Sequence, residues 1–219
     1  MARYLFPKWS NKVVPMVIFF GLGPAGTAAA AGLWYYGTNK HVEVGYTPKQ
    51  PVDYSHKLHA GDLGIDCRYC HTSVEKSANA SVPATETCMN CHSKVKTDSQ
   101  KLLPVRESNA TGNPIPWVRV HNLADYVFFN HQAHVSGGVG CQSCHGRVDQ
   151  MIKVSQVEPL SMGWCLDCHR NPEPSLRDPK DVTKMFDEAA TPSGVVSAAS
   201  GGTPRRKVSP PVHCSGCHR

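Results

Sequence analysis

The chain has 219 residues, a formal net charge of +6, and only 8% aromatic residues beside 18 Gly and 17 Pro. Such a composition is poor at building an ordinary apolar core, which argues against a conventionally packed globular domain. A source of apolar bulk other than the side chains is therefore expected.

The N-terminus carries a candidate membrane anchor. A charge-free stretch covers residues 13–36 and is long enough for the roughly 20 residues that cross a bilayer. The preceding segment, residues 1–12, is basic and predicted to be cytoplasmic. Small residues at 28–31 would also suit cleavage of a signal peptide. The length of the apolar run and the aromatic residues at 34–36 favour a retained anchor over residues 13–36.

Beyond the anchor, all ten cysteines belong to five copies of Cys-x-x-Cys-His. This spacing is typical of covalent c-type haem attachment, in which two thiols bond the porphyrin and the adjoining His binds the iron. A zinc site needs four ligands, and a disulfide framework needs no His. The sequence therefore predicts five covalently attached haem c groups, held by Cys67, Cys70 and His71; Cys88, Cys91 and His92; Cys141, Cys144 and His145; Cys165, Cys168 and His169; and Cys214, Cys217 and His218.

Seven of the 12 histidines lie outside these motifs, and four of them form a repeated phrase. Tyr54-Ser-His56-x-x-His59 precedes the first motif, and Phe129-Asn-His131-x-x-His134 precedes the third. Histidines at i and i+3 on a helical turn share a face, so each pair could hold two irons. We predict that His56 and His131 bind the first haem of their own repeats. His59 and His134 are predicted to serve neighbouring haems, with Tyr54 and Phe129 packed on a porphyrin.

The fifth distal ligand is less strongly defined by the sequence. His121 is the first candidate, ten residues before His131. A thioether ligand is the alternative and would raise the potential of its haem, with Met151 a better candidate than Met162. His213 adjoins Cys214 and could bind only a different haem, and His41 lies too close to the membrane.

The repeats divide the outer part of the chain into modules. We predict a first di-haem module at 37–110, a second at 111–188, and a low-complexity arm with the fifth haem at 189–219. An extended connector at 45–51, a linker at 104–116, a short helix near 182–190 and a disordered segment at 191–204 are also expected. The predicted fold class is a membrane-anchored multihaem cytochrome c. It has one N-terminal transmembrane helix and a mostly irregular, short-helix periplasmic domain organised around five haems.

The cofactors would also change the charge of the protein. Each oxidised bis-histidine haem with two ionised propionates contributes about −1, so the holoprotein lies near neutrality. We therefore predict no nucleic-acid partner.

The two His-x-x-His…Cys-x-x-Cys-His units resemble class III multihaem cytochromes of the c3/c7 type. The whole layout resembles the pentahaem subunit of bacterial alternative complex III, through one anchor, five motifs and three segments: Arg119-Val-His-Asn-Leu, Phe128-Phe-Asn-His131-Gln-Ala-His134-Val, and Met162-Gly-Trp-Cys-Leu-Asp-Cys-His-Arg170. The resemblance implies a subunit of the bacterial inner membrane with its haems on the periplasmic face. It also implies electron relay from quinol oxidation to a cytochrome c or terminal oxidase. The implied partners are an iron–sulfur protein, quinone-site membrane subunits, a monohaem cytochrome c and a terminal oxidase.

Two other functions stay open. A self-sufficient membrane quinol dehydrogenase also has one anchor, but such proteins usually carry Met two residues after a motif, whereas Thr72 and Ser73 follow His71. A catalytic multihaem reductase needs an open iron position, often with Lys replacing the motif His, and all five motifs end in His. We predict no catalytic residue in this chain.

Overall fold

The computed structural model describes residues 6–38, 43–185 and 208–218. The chain forms two compact units, Met1–Glu43 and Val44–Arg219. His41, the predicted disordered segment 191–204, and the predicted helix 182–190 beyond residue 185 lie outside the described residues.

The first unit is a single apolar helical span, Ser10–Gly37, of 28 residues. It consists of α1 (Ser10–Met16), a π-helical stretch (Val17–Leu22) and α2 (Gly23–Gly37). Pro24, in the first turn of α2, cannot donate to the preceding turn, which explains why the helix widens just before it. By length and composition the span could cross a membrane, and a signal sequence would pass the same test.

The second unit contains short helices joined by irregular segments, as the sequence predicts. Its described α-helices are α3 (Cys67–Cys70), α4 (Thr85–His92), α5 (Leu103–Thr111), α6 (His131–Gly137), α7 (Gln142–His145) and α8 (Met162–Arg170). A π-helical turn covers Lys57–Asp62, and 3-10 turns cover Gln100–Leu102, Val148–Gln150, Glu173–Ser175, Pro179–Asp181 and Cys214–Gly216. In the described ranges, β pairing is limited to two isolated bridges, Val127–His218 and Val139–Leu176.

Side-chain caps start three of the helices that carry functional residues. Asp66, Asn130 and Ser161 accept hydrogen bonds from backbone N–H groups of the first turns of α3, α6 and α8. These residue types satisfy amide groups that have no partner within the helix. The α6 helix ends at Gly138, whose φ of 88° suits a glycine.

The predicted linker 104–116 contains a regular helix. Pro104 lies in the first turn of α5, where its missing N–H costs nothing. The helix packs on α4, and the hydroxyls of Thr85 and Ser108 are hydrogen bonded at 2.7 Å. The segment that separates the two repeats is therefore docked on the first of them.

The second unit has a small apolar core of its own. Among the residues that the structure describes, the buried hydrophobic side chains are Val52, Val105, Val135, Leu176 and Val182. Large apolar side chains are exposed instead, including Leu63, Tyr126, Ile152 and Met162. This distribution agrees with the expectation from composition that the chain depends on additional apolar bulk.

Gly61 marks a close contact between the two repeats. The π-helical turn Lys57–Asp62 packs against the 3-10 turn Val148–Gln150, and a Cβ on Gly61 would overlap the carbonyl oxygen of Asp149. We expect Gly61→Ala to destabilise the holoprotein by about 1–3 kcal/mol, the usual cost of overpacking. Chemical denaturation followed by circular dichroism measures this change.

Gly163→Ala is the matched control for this prediction. No heavy atom lies within 4 Å of the position of its added Cβ, so the stability should stay the same or rise slightly. Equal stability of the two variants would show that the contact at Gly61 relaxes without cost.

Candidate haem-binding site

Each attachment motif lies on a helical turn. The first, second and fourth motifs coincide with α3, α4 and α8, the third begins at the N-cap of α7, and the fifth begins a 3-10 turn. Helical geometry brings residues i, i+3 and i+4 to one side, so two thiols and one imidazole face the same volume. None of the ten cysteines is paired in a disulfide, so each motif has both sulfur atoms for thioether attachment.

Four of the five motif histidines are oriented in the same way: the Nδ1 atom of each ring contacts a backbone carbonyl oxygen. The pairs are His71 with Ser81 at 2.6 Å, His92 with Val95 at 3.0 Å, His169 with Pro211 at 2.7 Å, and His218 with Tyr126 at 3.1 Å. With Nδ1–H donating to the carbonyl, the lone pair is on Nε2. Metal-binding histidines are commonly held in this way.

The histidine pair of the first repeat is held by Tyr54. The Tyr54 ring stacks on His59, with centroids 4.5 Å apart, and meets the edge of His56 at 4.8 Å. The Nδ1 atom of His59 contacts the Ser55 carbonyl oxygen at 2.9 Å, which leaves Nε2 free. The ring of His59 lies 6.2 Å from that of His92, in the second motif.

The second repeat has the same arrangement around Phe129. Its ring stacks on His134 at 4.5 Å and meets the edge of His131 at 4.7 Å. The ring of His134 lies 6.1 Å from that of His169, in the fourth motif. The ring of His131 lies 6.4 Å from that of His145, in the third motif, with the two planes only 8° apart.

These separations fit a metal between two imidazoles. Metal–nitrogen bonds of about 2 Å place the centroids of two axial imidazole rings roughly 6 Å apart. Three ring pairs meet this condition: His59 with His92, His134 with His169, and His131 with His145. The same three histidines are predicted from the sequence to bind these haems. The chain therefore presents the donor set that c-type haem requires, with thiols and paired imidazoles brought together.

His56 is a buried imidazole with an unsatisfied atom. Its Nδ1 is buried and has no hydrogen-bond partner, which is costly for a polar atom. Burial, followed by the nearby charge of His71, lowers the pKa of His56 to about 4, so the ring is neutral. A neutral imidazole beside the motif histidine His71 is suited to bind the iron of the first haem.

His121 lies beside His145 in a different relation. The ring centroids are 4.4 Å apart, too close for a metal between them, and His121 Nε2 lies 3.4 Å from His145 Nδ1. His121 thus takes the place that a carbonyl oxygen takes at the other four motifs. Binding an iron through Nε2 would require His121 to leave this contact, and its assignment as fifth distal ligand stays a prediction.

The remaining candidates for the fifth distal ligand have other contacts. The carbonyl oxygen of Met151 accepts from Lys57 N–H at 2.9 Å, and Met162 is 67% exposed at the start of α8. His213 Nδ1 contacts the hydroxyl of Ser215 at 3.0 Å. The ring that lies against His218 is Tyr126, at 5.7 Å.

Burial raises the pKa of several motif thiols, and the charge of a thiol in another motif adds to this effect. The pKa of Cys67 is raised to about 11 and that of Cys144 to about 12, mainly by burial. The contributing thiols are Cys141 for Cys67, Cys70 for Cys88, Cys168 and Cys165 for Cys144, and Cys217 for Cys165. The five motifs are therefore close together in the second unit.

Sequence reasoning did not find the groups that orient the rings. Ala78, Ser81, Val95 and Pro211 act through backbone carbonyl oxygens, which every residue has, so no residue type signals them. Tyr126 offers both a carbonyl oxygen and a ring to His218. Its aromatic character was a possible signal, but only the position of the C-terminal segment makes it meaningful.

Comparison with known families agrees with this chemistry. The family described as cytochrome c7 and related cytochrome c matches residues 52–110 and 127–219, which is most of the chain. The chain belongs to this family of multihaem cytochromes, whose members carry covalent haem c, and the predicted resemblance to c7-type modules is confirmed.

Among individual proteins, the chain is similar to the multiheme cytochrome c subunit of menaquinone reductase from Nitratidesulfovibrio vulgaris. The two are 37% identical over 105 residues, which cover 47% of this chain and 49% of that protein. The similarity thus spans about half the length of the relative.

Proposed function

We propose that this chain is an electron-transfer subunit of a membrane respiratory complex and carries five haem c groups. The main support is a geometry that recurs in the second unit. Three motif histidines each face a second imidazole, and the ring centroids are 6.1–6.4 Å apart, as expected for two axial ligands of one iron. With both axial positions filled, such irons favour electron transfer over substrate binding. The chain then has no catalytic site of its own.

The haems supply one-electron redox chemistry when bound, and the residues of the chain hold and orient them. In the proposal, the ten motif cysteines form the thioether bonds, and the five motif histidines are the proximal ligands. The proposed distal ligands are His56, His59, His131 and His134. For the fifth haem, His121 and Met151 remain the first candidates from the sequence.

The N-terminal span is proposed as a retained anchor with the haem domain on the periplasmic face. Support comes from the length of the apolar helix Ser10–Gly37 and from its basic flank, with Lys8 in the described part of the chain. The relative from Nitratidesulfovibrio vulgaris is a subunit of menaquinone reductase, which supports partnership with a membrane quinone-reacting complex. Proposed partners are an iron–sulfur protein, quinone-site membrane subunits, a monohaem cytochrome c and a terminal oxidase.

The proposed direction of transfer is from quinol oxidation to a cytochrome c or terminal oxidase, as the resemblance to alternative complex III implies. One observation favours a second candidate. The relative is named for reduction of menaquinone, so the same relay could instead carry electrons toward a quinone. The haem-binding residues are the same in both cases, because they determine the positions of the haems and not the direction of electron transfer.

Intact-mass measurement and EPR spectroscopy of the full-length oxidised protein test the proposal. We expect the mass of the polypeptide plus five haems and almost exclusively low-spin ferric signals. Retention of the anchor would appear in the same mass. Fewer than five macrocycles would contradict the proposed relay. A large cyanide-sensitive high-spin signal would also contradict it and would favour a reductase.

The direction is tested separately, in membranes that contain the whole complex. A menaquinol analogue should reduce the haems when the terminal acceptor is blocked, if electrons leave the quinol pool. Oxidation of prereduced haems by a menaquinone analogue, without reduction by the quinol, would support the second candidate.

A further inference from the structure

We infer that the five attachment motifs are spatial neighbours in the order second, first, third, fourth, fifth, so that the line of haems departs from chain order. Haem 1 to haem 5 denote the groups held by Cys67, Cys88, Cys141, Cys165 and Cys214. In this arrangement the line ends at haem 2 and haem 5. The inference rests on the proposed function, because it needs one haem at each motif.

Haem 2 adjoins haem 1 through a direct contact between their motifs. The side-chain amide of Asn90, inside the second motif, donates to the hydroxyl of Tyr69, inside the first, at 3.0 Å. Tyr54 contacts both histidines of the first pair, and His59 of this pair faces His92 of the second motif at 6.2 Å. The first repeat therefore joins its two motifs closely.

Haem 1 also adjoins haem 3, across the boundary between the repeats. The first motif and the third converge on residues 182 and 183. Thr183 donates to the carboxylate of Asp66 at 2.9 Å, and the N–H of Cys141 donates to the carbonyl of Val182 at 2.9 Å.

The loop that contains Ala78 and Ser81 also contacts one histidine ring from each repeat. Ser81 accepts from His71 of haem 1, and Ala78 accepts at 2.8 Å from His131, the proposed distal ligand of haem 3. Haem 1 is thus the link between the two repeats.

Haem 3 adjoins haem 4 through a shared residue. The N–H of Gly140, next to Cys141, donates to the carbonyl of Ser175 at 3.3 Å, and the hydroxyl of Ser175 lies 3.8 Å from the sulfur of Cys168. The paired histidines of α6 face the third and fourth motifs. The second repeat therefore joins its motifs as the first repeat does.

Haem 4 adjoins haem 5 at the C-terminal segment. His169 of the fourth motif donates to the carbonyl of Pro211, three residues before Cys214, at 2.7 Å. The fifth motif is fixed in turn by the N–H of Phe128, which donates to the carbonyl of Cys217 at 2.8 Å. The fifth motif thus extends the line beyond the second repeat.

The two ends of this line are also its exposed points. Cys91 of the second motif and Cys214 of the fifth are exposed, whereas the other eight cysteines are partly buried. Electrons can therefore enter and leave most directly at haem 2 and haem 5, while haem 3 lies in the middle.

Proton NMR on the reduced, diamagnetic full-length protein tests the order, because nuclear Overhauser effects connect the haem protons of adjacent groups. We expect interhaem effects between haems 2 and 1, 1 and 3, 3 and 4, and 4 and 5. Haem signals are assigned with paired substitutions that remove one haem, Cys88→Ala with Cys91→Ala and Cys214→Ala with Cys217→Ala. Effects between haem 2 and haem 3 would overturn the order, because chain order requires them.

A second variant gives an independent test. Loss of haem 1 through Cys67→Ala with Cys70→Ala should remove every interhaem effect of haem 2, while effects among haems 3, 4 and 5 persist. If a paired variant does not fold, His59→Met identifies haem 2 by its changed axial ligand. Five sets of haem signals linked in chain order would overturn only the order, whereas fewer than five sets would overturn the proposed function.

Discussion

Replacing His59 with alanine should convert haem 2, and not haem 1, from low spin to high spin. The sequence places His59 eight residues before Cys67, yet its ring faces His92 at 6.2 Å. Without this imidazole, the proposed haem at His92 would lose its second axial ligand, whereas His56 would still be available to the proposed haem at His71. EPR spectroscopy should show conversion of one haem in five, and a downfield NMR signature of the high-spin haem identifies the affected group.

His56→Ala is the matched control, because it removes the other member of the same pair. It should convert haem 1 and leave haem 2 low spin. His134→Ala and His131→Ala should repeat this contrast at haems 4 and 3. If His59→Ala affected the haem at Cys67, the pairing across the repeat would be wrong.

Removal of haem 3 should unfold the second unit, whereas removal of haem 5 should not. Cys141, Cys144 and His145 of the third motif are all partly buried, and burial lowers the pKa of His145 to about 3. Losing a large buried aromatic group costs about 3–5 kcal/mol, and a porphyrin is larger than any side chain. A domain stability of about 5–15 kcal/mol leaves little after such a loss.

The experiment compares Cys141→Ser with Cys144→Ser against Cys214→Ser with Cys217→Ser. Hydrogen exchange should become complete over residues 44–185 in the first variant and stay protected in the second, which loses a haem at an exposed thiol. Denaturant titration should show a cooperative transition only in the second. A folded first variant would mean that the polypeptide packs without the central porphyrin.

The candidate site could be predicted from local sequence patterns, whereas much of the fold depends on distant contacts. The five motifs and the two histidine pairs are local patterns, because thioether attachment and axial ligation need fixed residue types at short spacing. The similar environments of Tyr54 and Phe129 follow from this spacing too, since each aromatic residue is two positions before its pair. Such local patterns can be recognised in the sequence without knowledge of the tertiary structure.

Features that depend on distant contacts were not predictable. The linker at 104–116 contains α5 because Ser108 is hydrogen bonded to Thr85 of α4 and Val105 is buried. His121 contacts His145, 24 residues away, and Pro211 contacts His169 across 42 residues. A chain with few buried apolar side chains leaves little periodic signal from which such contacts could be inferred.

The short loop that carries Ala78 and Ser81 would give two of the proposed haem centres one shared mechanical support. Its carbonyl groups restrain an imidazole on either side of the boundary between the duplicated halves. Any opening of this loop would loosen both rings at once, so the junction between the halves would respond as a unit. Disturbance at one centre would thereby be communicated to its neighbour by the polypeptide itself, in addition to any electrostatic influence between the irons.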